Sequence, residues 1–352
     1  MTRRLPGQRS LWLFIFVLTQ LFLVRVAHAQ SHETRRAHLE QIVTARLKFY
    51  AERYPDISFA ILDTAGDVSR NMQALARIIG EDPVPLGYEH PLDLRQKLLI
   101  VTLMRIEILF QNNIESATLF KPGKNALATR KQVCVITLNP WTIAADDRTA
   151  TRHLLEFPDD EFAAVATRNY LEHESHLKFV LDHEIYHCLD AAYNGPIPMS
   201  QLAHWDGYYN FKDELGADAF GVLMNIAEHG SLTAYSRKLR NIRRLALLCC
   251  DSSHYTYQAI DAVLKMAPAQ LAQKNVRERF RIASRLRDRL AGSYEDYLRY
   301  ANAAYHAMIQ LGSELETGLF TDTEPDAELV KALVKSTKAA YRDLTGHEMP
   351  AL

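Results

Sequence analysis

The stretch with the clearest chemical potential is an H-E-x-x-H pattern, which runs from His183 to His187 in a segment with helical character. Side chains four positions apart lie on one face of an α-helix, about 5–6 Å apart, so the imidazoles of His183 and His187 can converge on one metal ion. Glu184 is turned about 100° away from His183, which makes it a poor third ligand but places it beside an open coordination position. The pattern therefore predicts a zinc ion held by two histidines, with Glu184 as a base.

A third ligand has to come from another element, because no histidine follows at the spacing of the longer H-E-x-x-H-x-x-G-x-x-H arrangement and position 190 is Asp190. The next candidate is the segment 212–218, in which Glu214 and Asp218 share one helix face. If Glu214 completes the metal shell, Asp218 can accept the second ring N–H of a ligating histidine and fix its orientation. We therefore expect two helices to meet at the metal.

Together, these two segments resemble the gluzincins, zinc metallopeptidases with H-E-x-x-H on one helix and a glutamate ligand, often within E-x-x-x-D, on a later one. The matching positions are His183, Glu184, His187, Glu214 and Asp218. By motif, the resemblance covers about residues 169–230. It implies zinc, peptide-bond hydrolysis and a zincin-like catalytic core, mainly helical, with a small sheet and an active-site helix pair.

The expected reaction is hydrolysis by zinc-activated water. Zinc with three protein ligands keeps a fourth position for water, lowers the pKa of that water towards about 7 and polarises the scissile carbonyl. Glu184 would take the proton from this water and pass it to the leaving amine. The charge that develops on the carbonyl oxygen needs a donor, commonly a His or Tyr from a later element. His254 and Tyr255 follow in the right order for that role; the alternative is that they belong to a plain capping loop.

Two other functions are compatible with these residues. A non-catalytic exported binding protein would retain the zinc site without turnover, and a zinc amidase would act on cell-wall peptides. A structural zinc ion usually has four protein ligands and no open coordination position. This pattern supplies three ligands and a glutamate suited to activate water. We therefore expect an enzyme whose partner is a peptide or protein substrate; the sequence does not predict its oligomeric state.

Residues 1–29 have the features of a secretory signal peptide. They combine arginines at positions 3, 4 and 9 with an apolar run over 11–24 and a small-residue cleavage signal at 27–29. Cleavage would give an exported chain, periplasmic or secreted, with no membrane span after the leader. The alternative is an uncleaved N-terminal membrane anchor, for which the apolar run is short.

Composition is that of a globular protein, because 48% of the 352 residues are hydrophobic, which is ample for a buried core. The chain has 41 basic and 42 acidic side chains, and the leader holds four of the basic ones and none of the acidic ones. The mature chain would therefore be net negative. This charge balance argues against nucleic acid as a partner.

Hydrophobic periodicity predicts an α+β chain that is predominantly helical. We expect an N-terminal region of mixed α/β structure and unassigned role over 30–125, followed by a zincin-like catalytic domain over 126–352 with a helical C-terminal part. Strands are expected over 57–62 and 132–138. Outside the H-E-x-x-H segment, the expected helices cover residues 31–55, 72–79, 94–111, 208–229, 231–250, 275–291, 293–311 and 326–344.

Four segments outside the motif carry further expectations. The strand 132–138 is either an edge strand that pairs with the substrate backbone, as in proteins of the resembled group, or a strand buried within the sheet, which we favour. Residues 141–160 can form one wall of a cleft. His173 and His176 are expected on a solvated helix face or an approach loop rather than at a metal, and the arginine-rich segment 275–291 is expected to present a solvated face.

Four cysteines permit three complete disulfide pairings, and the sequence does not select among them. They are Cys134, Cys188, Cys249 and Cys250. Cys188 follows the expected ligand His187, but its side chain points about 100° away from that of the histidine. A core or disulfide role is therefore expected for Cys188 rather than metal ligation.

Overall fold

The computed structural model describes residues 33–63, 84–85, 116–121, 131–155, 170–195, 207–249, 251–312 and 324–349. The described chain is predominantly helical with one four-stranded sheet, which confirms the coarse α+β prediction. The expected signal peptide and the helices expected over 72–79 and 94–111 lie outside these ranges. Within them, no helix has both the length and the apolar character that crossing a membrane requires.

The secondary-structure elements follow one another in this order. A helix over residues 33–53 precedes strands β1 (Ile57–Leu62), β2 (Val84–Pro85), β3 (Ser116–Lys121) and β4 (Gln132–Thr137). Next come two short helices (Pro140–Ala144 and Asp147–Leu154), the histidine helix (His173–Tyr193) and the glutamate helix (Tyr208–His229). The C-terminal helices are Ala234–Arg244, Tyr257–Leu264, Pro268–Ala272, Val276–Ala291, Tyr294–Gln310 and Ala327–Thr345, with a 3-10 turn at Ala246–Cys249.

For the expected helices that the structure describes, the boundaries agree with the predictions to within a few residues, except in the segment expected over 231–250. There Thr233 is the N-cap, because its side chain accepts the N–H of Ser236. The helix stops at Arg244, and the backbone continues as the 3-10 turn. The apolar spacing continues beyond Arg244, so the sequence pattern overestimates the length of this helix.

Strand β4 lies inside the sheet, whose order is β1-β4-β3-β2. It pairs in parallel with β1 and antiparallel with β3, so both of its edges are occupied. The less favoured alternative, an edge strand that pairs with a substrate backbone, is therefore wrong, and the favoured buried strand is confirmed. A short β-branched, apolar run is typical of both positions, which is why the sequence left them open.

One main core joins the sheet to the two long helices, and the start of the described chain belongs to it. Tyr50 from the helix 33–53 is fully buried in this core, and β1 contributes Ile57. Described residues from both sides of the boundary expected near residue 125 therefore contribute to this core. A second, smaller cluster packs Tyr255 and Leu247 against the last two helices, through residues such as Ala304 and Leu333.

The arginine-rich helix Val276–Ala291 is less solvated than expected. Its start is fixed by Asn275, which forms a capping box with Glu278. Arg279 and Arg287 are buried, and Arg287 pairs with Asp190 of the histidine helix. For these two arginines the predicted solvated face is wrong, since a carboxylate or backbone carbonyls from neighbouring turns take the place of water.

Candidate metal centre

The histidine helix and the glutamate helix approach closely because two glycines face large aromatic rings. A Cβ atom at Gly216 would lie 2.3 Å from Tyr186 Oη, and one at Gly221 would lie 2.6 Å from Phe179 Cδ2. Neither contact is sterically possible without movement of a fully buried ring. The bare backbone at these two positions therefore sets the separation at which side chains from the two helices meet.

The three predicted ligands are brought together by this helix pair. His183 Nε2 lies 2.9 Å from Glu214 Oε2, and His187 Nε2 lies 3.6 Å from Glu214 Oε1. One ligand atom from each residue falls within 4.8 Å of the other two. Tetrahedral zinc with nitrogen and oxygen ligands at about 2.0–2.2 Å separates those ligand atoms by roughly 3.4 Å. The observed separations are of the size that a small divalent cation requires.

The Glu214 carboxylate provides an independent test of whether a cation fits. Its Oε2 atom is buried and accepts no well-directed hydrogen bond from the described residues, although His183 Nε2 and His254 Nε2 lie 2.9 and 3.2 Å away. The nitrogens are near this oxygen but do not aim their N–H bonds at it. Side chains that converge on a shared point instead of on each other are suited to a metal. Two imidazoles and one carboxylate match zinc, and they also match other first-row divalent ions.

Asp218 holds the candidate ligand His183 by the ring nitrogen that does not face Glu214. His183 Nδ1 lies 3.0 Å from Asp218 Oδ1, so its Nε2 is turned towards Glu214. Asp218 is fully buried and also accepts from Arg243, at 2.7 and 2.8 Å, and from Thr256 Oγ1. Sequence reasoning found Asp218 through its helical spacing from Glu214. It missed Arg243 and Thr256, since no spacing rule links them to residue 218.

The charges at the cluster are strongly coupled. Burial by itself would lower the pKa of His183, but the charge of Glu214 and the hydrogen bond to Asp218 outweigh it and raise the pKa to about 9. At His187 burial prevails over the attraction of Glu214 and lowers the pKa to about 4. Burial opposes ionisation of Glu214, yet His254 and His183 hold the pKa of this carboxyl well below its usual range. A bound cation would replace the proton on His183, so metal binding would release protons.

The two candidate oxyanion donors lie in different places. His254 Nε2 is 3.2 Å from Glu214 Oε2, and its Nδ1 is 2.5 Å from Asp251 Oδ2. Burial would lower the pKa of His254, but Glu214 and Asp251 raise it to about 10. Tyr255 is fully buried in the second core cluster, with its ring against Tyr257. Of this pair, His254 lies at the cluster and Tyr255 does not.

A pocket of about 210 Å³ opens beside these residues. Glu184 lines it together with His183 and is only 7% exposed, so its carboxylate lies in a largely water-excluded setting next to a proposed ligand. Residues His153 and Leu154 form part of one wall, as expected for the segment 141–160. The remaining lining residues are Phe179, Val180, Ile242, Arg243, Ala246, Cys249, Asp251 and His254.

Comparison with known proteins gives no relative from which a function could be transferred. Family models, curated proteins and solved structures all gave no match to this chain. What the cluster can do therefore has to follow from its own residues, their distances and their charges.

The histidines upstream of the motif differ from their predicted exposure. His173 lies at the start of the histidine helix, with its Nδ1 2.6 Å from Asp147 Oδ1. His176 is fully buried, and its two ring nitrogens each lie 3.0 Å from a partner, His153 Nδ1 and Tyr235 Oη. The expected solvated face is therefore wrong for His176. Because its neighbours in the sequence are polar, the sequence pattern did not indicate that the His176 side chain faces the interior.

One disulfide ties the cluster to the sheet. Cys188, next to the candidate ligand His187, is bonded to Cys134 in strand β4, and both residues are buried. The prediction of a core or disulfide role for Cys188 is confirmed. The sequence alone did not select this pairing, because it depends on the histidine helix crossing the centre of the sheet.

Proposed function

We propose that the protein is a zinc-dependent metallopeptidase, with a zincin-like core, that hydrolyses peptide bonds in the pocket beside Glu184. The observation that carries the proposal is the convergence of His183, His187 and Glu214 from two helices, with Glu184 in the same pocket. A purely structural zinc site usually has four protein ligands and no open position, whereas three candidate ligands meet here beside a pocket. Catalytic sites, by contrast, combine three protein ligands with an open position and a nearby base.

In this proposal, His183, His187 and Glu214 hold the metal. When bound, zinc supplies Lewis-acid polarisation of a carbonyl and acidifies water. Glu184 takes the proton from the attacking water and returns it to the leaving amine. Its position in the sequence, directly after a ligand, and its burial at the pocket wall support this role.

His254 is the proposed donor to the carbonyl oxygen as negative charge develops on it. Its Nδ1 is held by Asp251, and its Nε2 lies on the pocket side near Glu214. Without metal, Glu214 and Asp251 outweigh burial and raise the pKa of His254 to about 10. When Glu214 holds the metal, Asp251 still lies against Nδ1 and favours the form of His254 that has an N–H on both ring nitrogens. A positively charged donor in a buried pocket stabilises an oxyanion more strongly than a neutral donor does.

The apolar part of the pocket lining suggests which residue the substrate presents. Leu154, Phe179, Val180 and Ile242 give the pocket apolar surface. The pocket volume of 210 Å³ exceeds the roughly 150 Å³ of an apolar cavity that accepts benzene. We therefore propose a peptide substrate with one bulky apolar side chain, such as that of Phe or Leu, next to the cleaved bond.

We also propose that the protein acts after export. The leader pattern over residues 1–29 and the Cys134–Cys188 disulfide both favour an oxidising compartment.

The test combines metal analysis with substrate trials on four proteins: the wild type, Glu184→Gln, Glu214→Gln and Glu174→Gln. Internally quenched peptides with Phe or Leu at the central position, a folded protein and cell-wall peptides are assayed with and without a chelator. The wild type is expected to bind about one zinc and to cleave the quenched peptides in a chelator-sensitive way. Glu184→Gln should keep the metal and lose turnover, and Glu214→Gln should lose both.

Glu174→Gln is the matched control, because Glu174 is an exposed carboxylate on the same helix that contacts His38 at 2.9 Å. It should keep both metal and turnover. Equal turnover in Glu184→Gln and the wild type would reject Glu184 as the base. Retained metal with no turnover on any substrate would favour a binding protein, and turnover restricted to cell-wall peptides would favour an amidase.

A further inference from the structure

A row of four arginines lies on the outer face of the helix Val276–Ala291, and the proposed reaction does not use it. All four are exposed and follow one another at four-residue spacing: Arg277, Arg281, Arg285 and Arg289. Side chains four positions apart lie about 6 Å from each other, so this arginine ridge extends over roughly 18 Å. The inner face of the same helix, with Phe280, Ala283 and Leu286, is buried in the main core.

The ridge forms no ion pair among the described residues, and its hydrogen bonds go to backbone carbonyls. Arg277 donates to the carbonyl oxygen of Arg53. Arg285 donates to the carbonyl oxygen of Arg281. Like charges four residues apart destabilise a helix, so the ridge contains three unfavourable pairs. An anionic partner outside the protein would replace this repulsion by attraction.

The acidic side chains near the ridge are in contact with other cations. Glu52 contacts Arg53, Glu278 contacts Lys274, and Asp288 contacts both Lys212 and Arg287. When these contacts are set against one another, the four ridge arginines remain as excess positive charge. The whole chain has 41 basic and 42 acidic side chains, so this excess is local to one surface.

The ridge begins at a concave basic pocket of about 480 Å³. Arg277 lines this pocket together with three further cations, Arg53, Lys274 and Arg279. Arg279 is only 8% exposed, and its nitrogens contact the carbonyls of Leu271 and Ala272 and the sulfur of Met224, but no carboxylate. Guanidinium groups bind phosphate oxygens through several N–H donors at once. A pocket with this lining is therefore suited to a phosphate group.

An exposed aromatic ring borders the same end of the ridge. Tyr193 is 47% exposed, and its ring lies 5.7 Å from that of Tyr54 and 6.1 Å from that of Phe280. Burial raises the pKa of Tyr193, and the charges of Arg277 and Asp56 act on it in opposite directions, so this phenol lies beside the ridge. A tyrosine with an apolar body and a polar tip is typical of the boundary between water and a lipid bilayer.

We propose that the arginine ridge and the pocket at its end bind the phosphate headgroups of an anionic phospholipid membrane, so that the protein attaches peripherally to a bilayer surface. Four to eight basic residues on an amphipathic helix are typical of contact with acidic lipids. The apolar face of this helix is used in the core, so the attachment is electrostatic and the helix does not insert. A soluble acidic peptide would account for the arginines but would leave the exposed Tyr193 without a role.

The test measures vesicle binding by three proteins. The ridge variant combines Arg281→Gln, Arg285→Gln and Arg289→Gln, and the matched control combines Lys331→Gln, Lys335→Gln and Lys338→Gln. The control removes the same charge from exposed positions of the helix Ala327–Thr345. Each protein is purified after export and titrated, at low and high salt, with vesicles of phosphatidylcholine alone and with vesicles that contain roughly one third phosphatidylglycerol.

The wild type is expected to bind the anionic vesicles at low salt, to lose most of this affinity at high salt and not to bind the neutral vesicles. Each basic residue near an anionic surface contributes about fivefold to binding, so the ridge variant should bind about 100-fold more weakly. The control should change the affinity by no more than about threefold. The ridge variant should melt no lower than the wild type, because it has lost three repulsive pairs.

Several outcomes would overturn the proposal. Equal losses in the two triple variants would show that binding follows net charge alone, and a lower melting temperature of the ridge variant would show that the arginines stabilise the fold. Displacement by glycerol phosphate, at a concentration equal to that of the lipid headgroups, would identify a site for a small anion. Tighter binding to polyglutamate than to anionic vesicles would identify an acidic peptide as the partner.

The test is independent of the proposed peptidase activity, because vesicle binding requires neither metal nor turnover. All three proteins have the same N-terminus, so a retained leader would affect them equally. If the ridge variant cleaves peptides like the wild type and binds vesicles equally well, the membrane proposal fails and the peptidase proposal survives. If anionic vesicles bind the wild type far more tightly than the ridge variant but no peptide is cleaved, the reverse holds.

Discussion

Two buried carboxylates are associated with the proposed ligand His183: Asp182 precedes it in the sequence, Asp218 bonds its ring, and the two have similar hydrogen-bond partners. Asp182 and Asp218 each accept two nitrogen contacts from one arginine and a hydrogen bond from one hydroxyl. The donors are Arg46 and Tyr50 at Asp182, and Arg243 and Thr256 at Asp218. The difference is that Asp218 also bonds Nδ1 of His183, whereas Asp182 contacts no ligand ring among the hydrogen bonds of the described residues.

This difference shows how one arrangement serves two purposes. The partners of Asp182 come from the helix 33–53, so this cluster fastens the start of the described chain to the histidine helix. The partners of Asp218 come from elements later in the chain, and they hold the carboxylate that bonds the ring of His183. Replacing Asp182 should therefore lower mainly the free energy of unfolding, and replacing Asp218 should lower mainly the affinity for the metal.

The largest effect is expected from Asp182→Asn. The change leaves the charge of Arg46, whose side chain is only 12% exposed, without its main partner. Removing one member of a buried ion pair typically costs about 3–5 kcal/mol of unfolding free energy. Urea unfolding of the metal-free protein, followed by circular dichroism, measures the loss. The control Glu40→Gln breaks an exposed pair with Arg36 and should change stability by no more than about 0.5 kcal/mol.

A loss of less than about 1 kcal/mol in Asp182→Asn would mean that Asp182 does not fasten the helix 33–53. If the single variant does not fold, Asp182→Leu combined with Arg46→Met tests the same idea, because replacing both partners by apolar groups leaves no unpaired charge.

Asp218→Asn should weaken zinc binding by about 10- to 100-fold, as is typical when the group that orients a ligating histidine is changed. The physical reason is that His183 loses the carboxylate that fixes its ring and its tautomer. Competition with a chromophoric chelator measures the affinity, on protein shown to be folded by circular dichroism. The comparison between the two carboxylates fails if Asp182→Asn, at equal foldedness, weakens zinc binding as much.

Removing one hydroxyl from each cluster gives a finer version of the same comparison. Tyr50→Phe and Thr256→Val each delete one hydrogen bond to a buried carboxylate with little change of shape. Each should lower the unfolding free energy by about 1.5 kcal/mol. Only Thr256→Val should also reduce zinc affinity, by about two- to tenfold, because Thr256 donates to the carboxylate that holds His183. Equal zinc affinities in the two variants would contradict this assignment.

The smallest effect concerns Glu228, which contacts Arg46 at the rim of the first cluster and Lys178 on the histidine helix. Burial opposes its ionisation, but Lys178 and Arg46 lower the pKa of this carboxyl below its usual value. A lowered folded-state pKa gives stability that is present above the unfolded-state pKa and is lost as the pH falls through the folded-state pKa. The group is about a third exposed, so Glu228→Gln should cost only about 0.5 kcal/mol at pH 7, after allowance for solvent screening.

Urea unfolding of wild type and Glu228→Gln at a series of pH values checks the sign. The difference between the two proteins should be constant at neutral pH, shrink as the pH falls from the unfolded-state pKa to the lowered folded-state pKa, and be largely lost below it. A difference that grows on acidification would show that the carboxyl is destabilised by burial.

The sequence was most informative where helical spacing alone determines geometry. The ligand pair His183 and His187 and the face shared by Glu214 and Asp218 follow from a repeat of four residues, and the structure brings the three proposed ligands within reach of one ion. The bounds of the glutamate helix were also predicted correctly, because apolar periodicity and a C-terminal glycine mark them. These features are local, so a single sequence contains them.

What the sequence did not reveal depends on contacts between distant segments. The pairing of Cys134 with Cys188, the donation from Arg243 and Thr256 to Asp218, and the buried position of His176 all require the fold to be known. Likewise, two neighbouring residues, His254 and Tyr255, looked equivalent in the sequence but face different clusters. A loop can direct adjacent side chains in opposite directions without leaving any periodic signal.

The two glycines of the glutamate helix are positions that can be sought in other chains together with the candidate ligands. Gly216 and Gly221 bear no reactive group, yet the aromatic rings of Tyr186 and Phe179 occupy the space that a methyl group there would need. A saturation-mutagenesis map should therefore show two intolerant positions in the middle of this helix, as sharply defined as the ligands themselves. A search pattern that joins F-x-x-x-H-E-x-Y-H to E-x-G-x-D-x-x-G would select chains by shape as well as by chemistry, and so would separate this architecture from chance occurrences of the shorter motif.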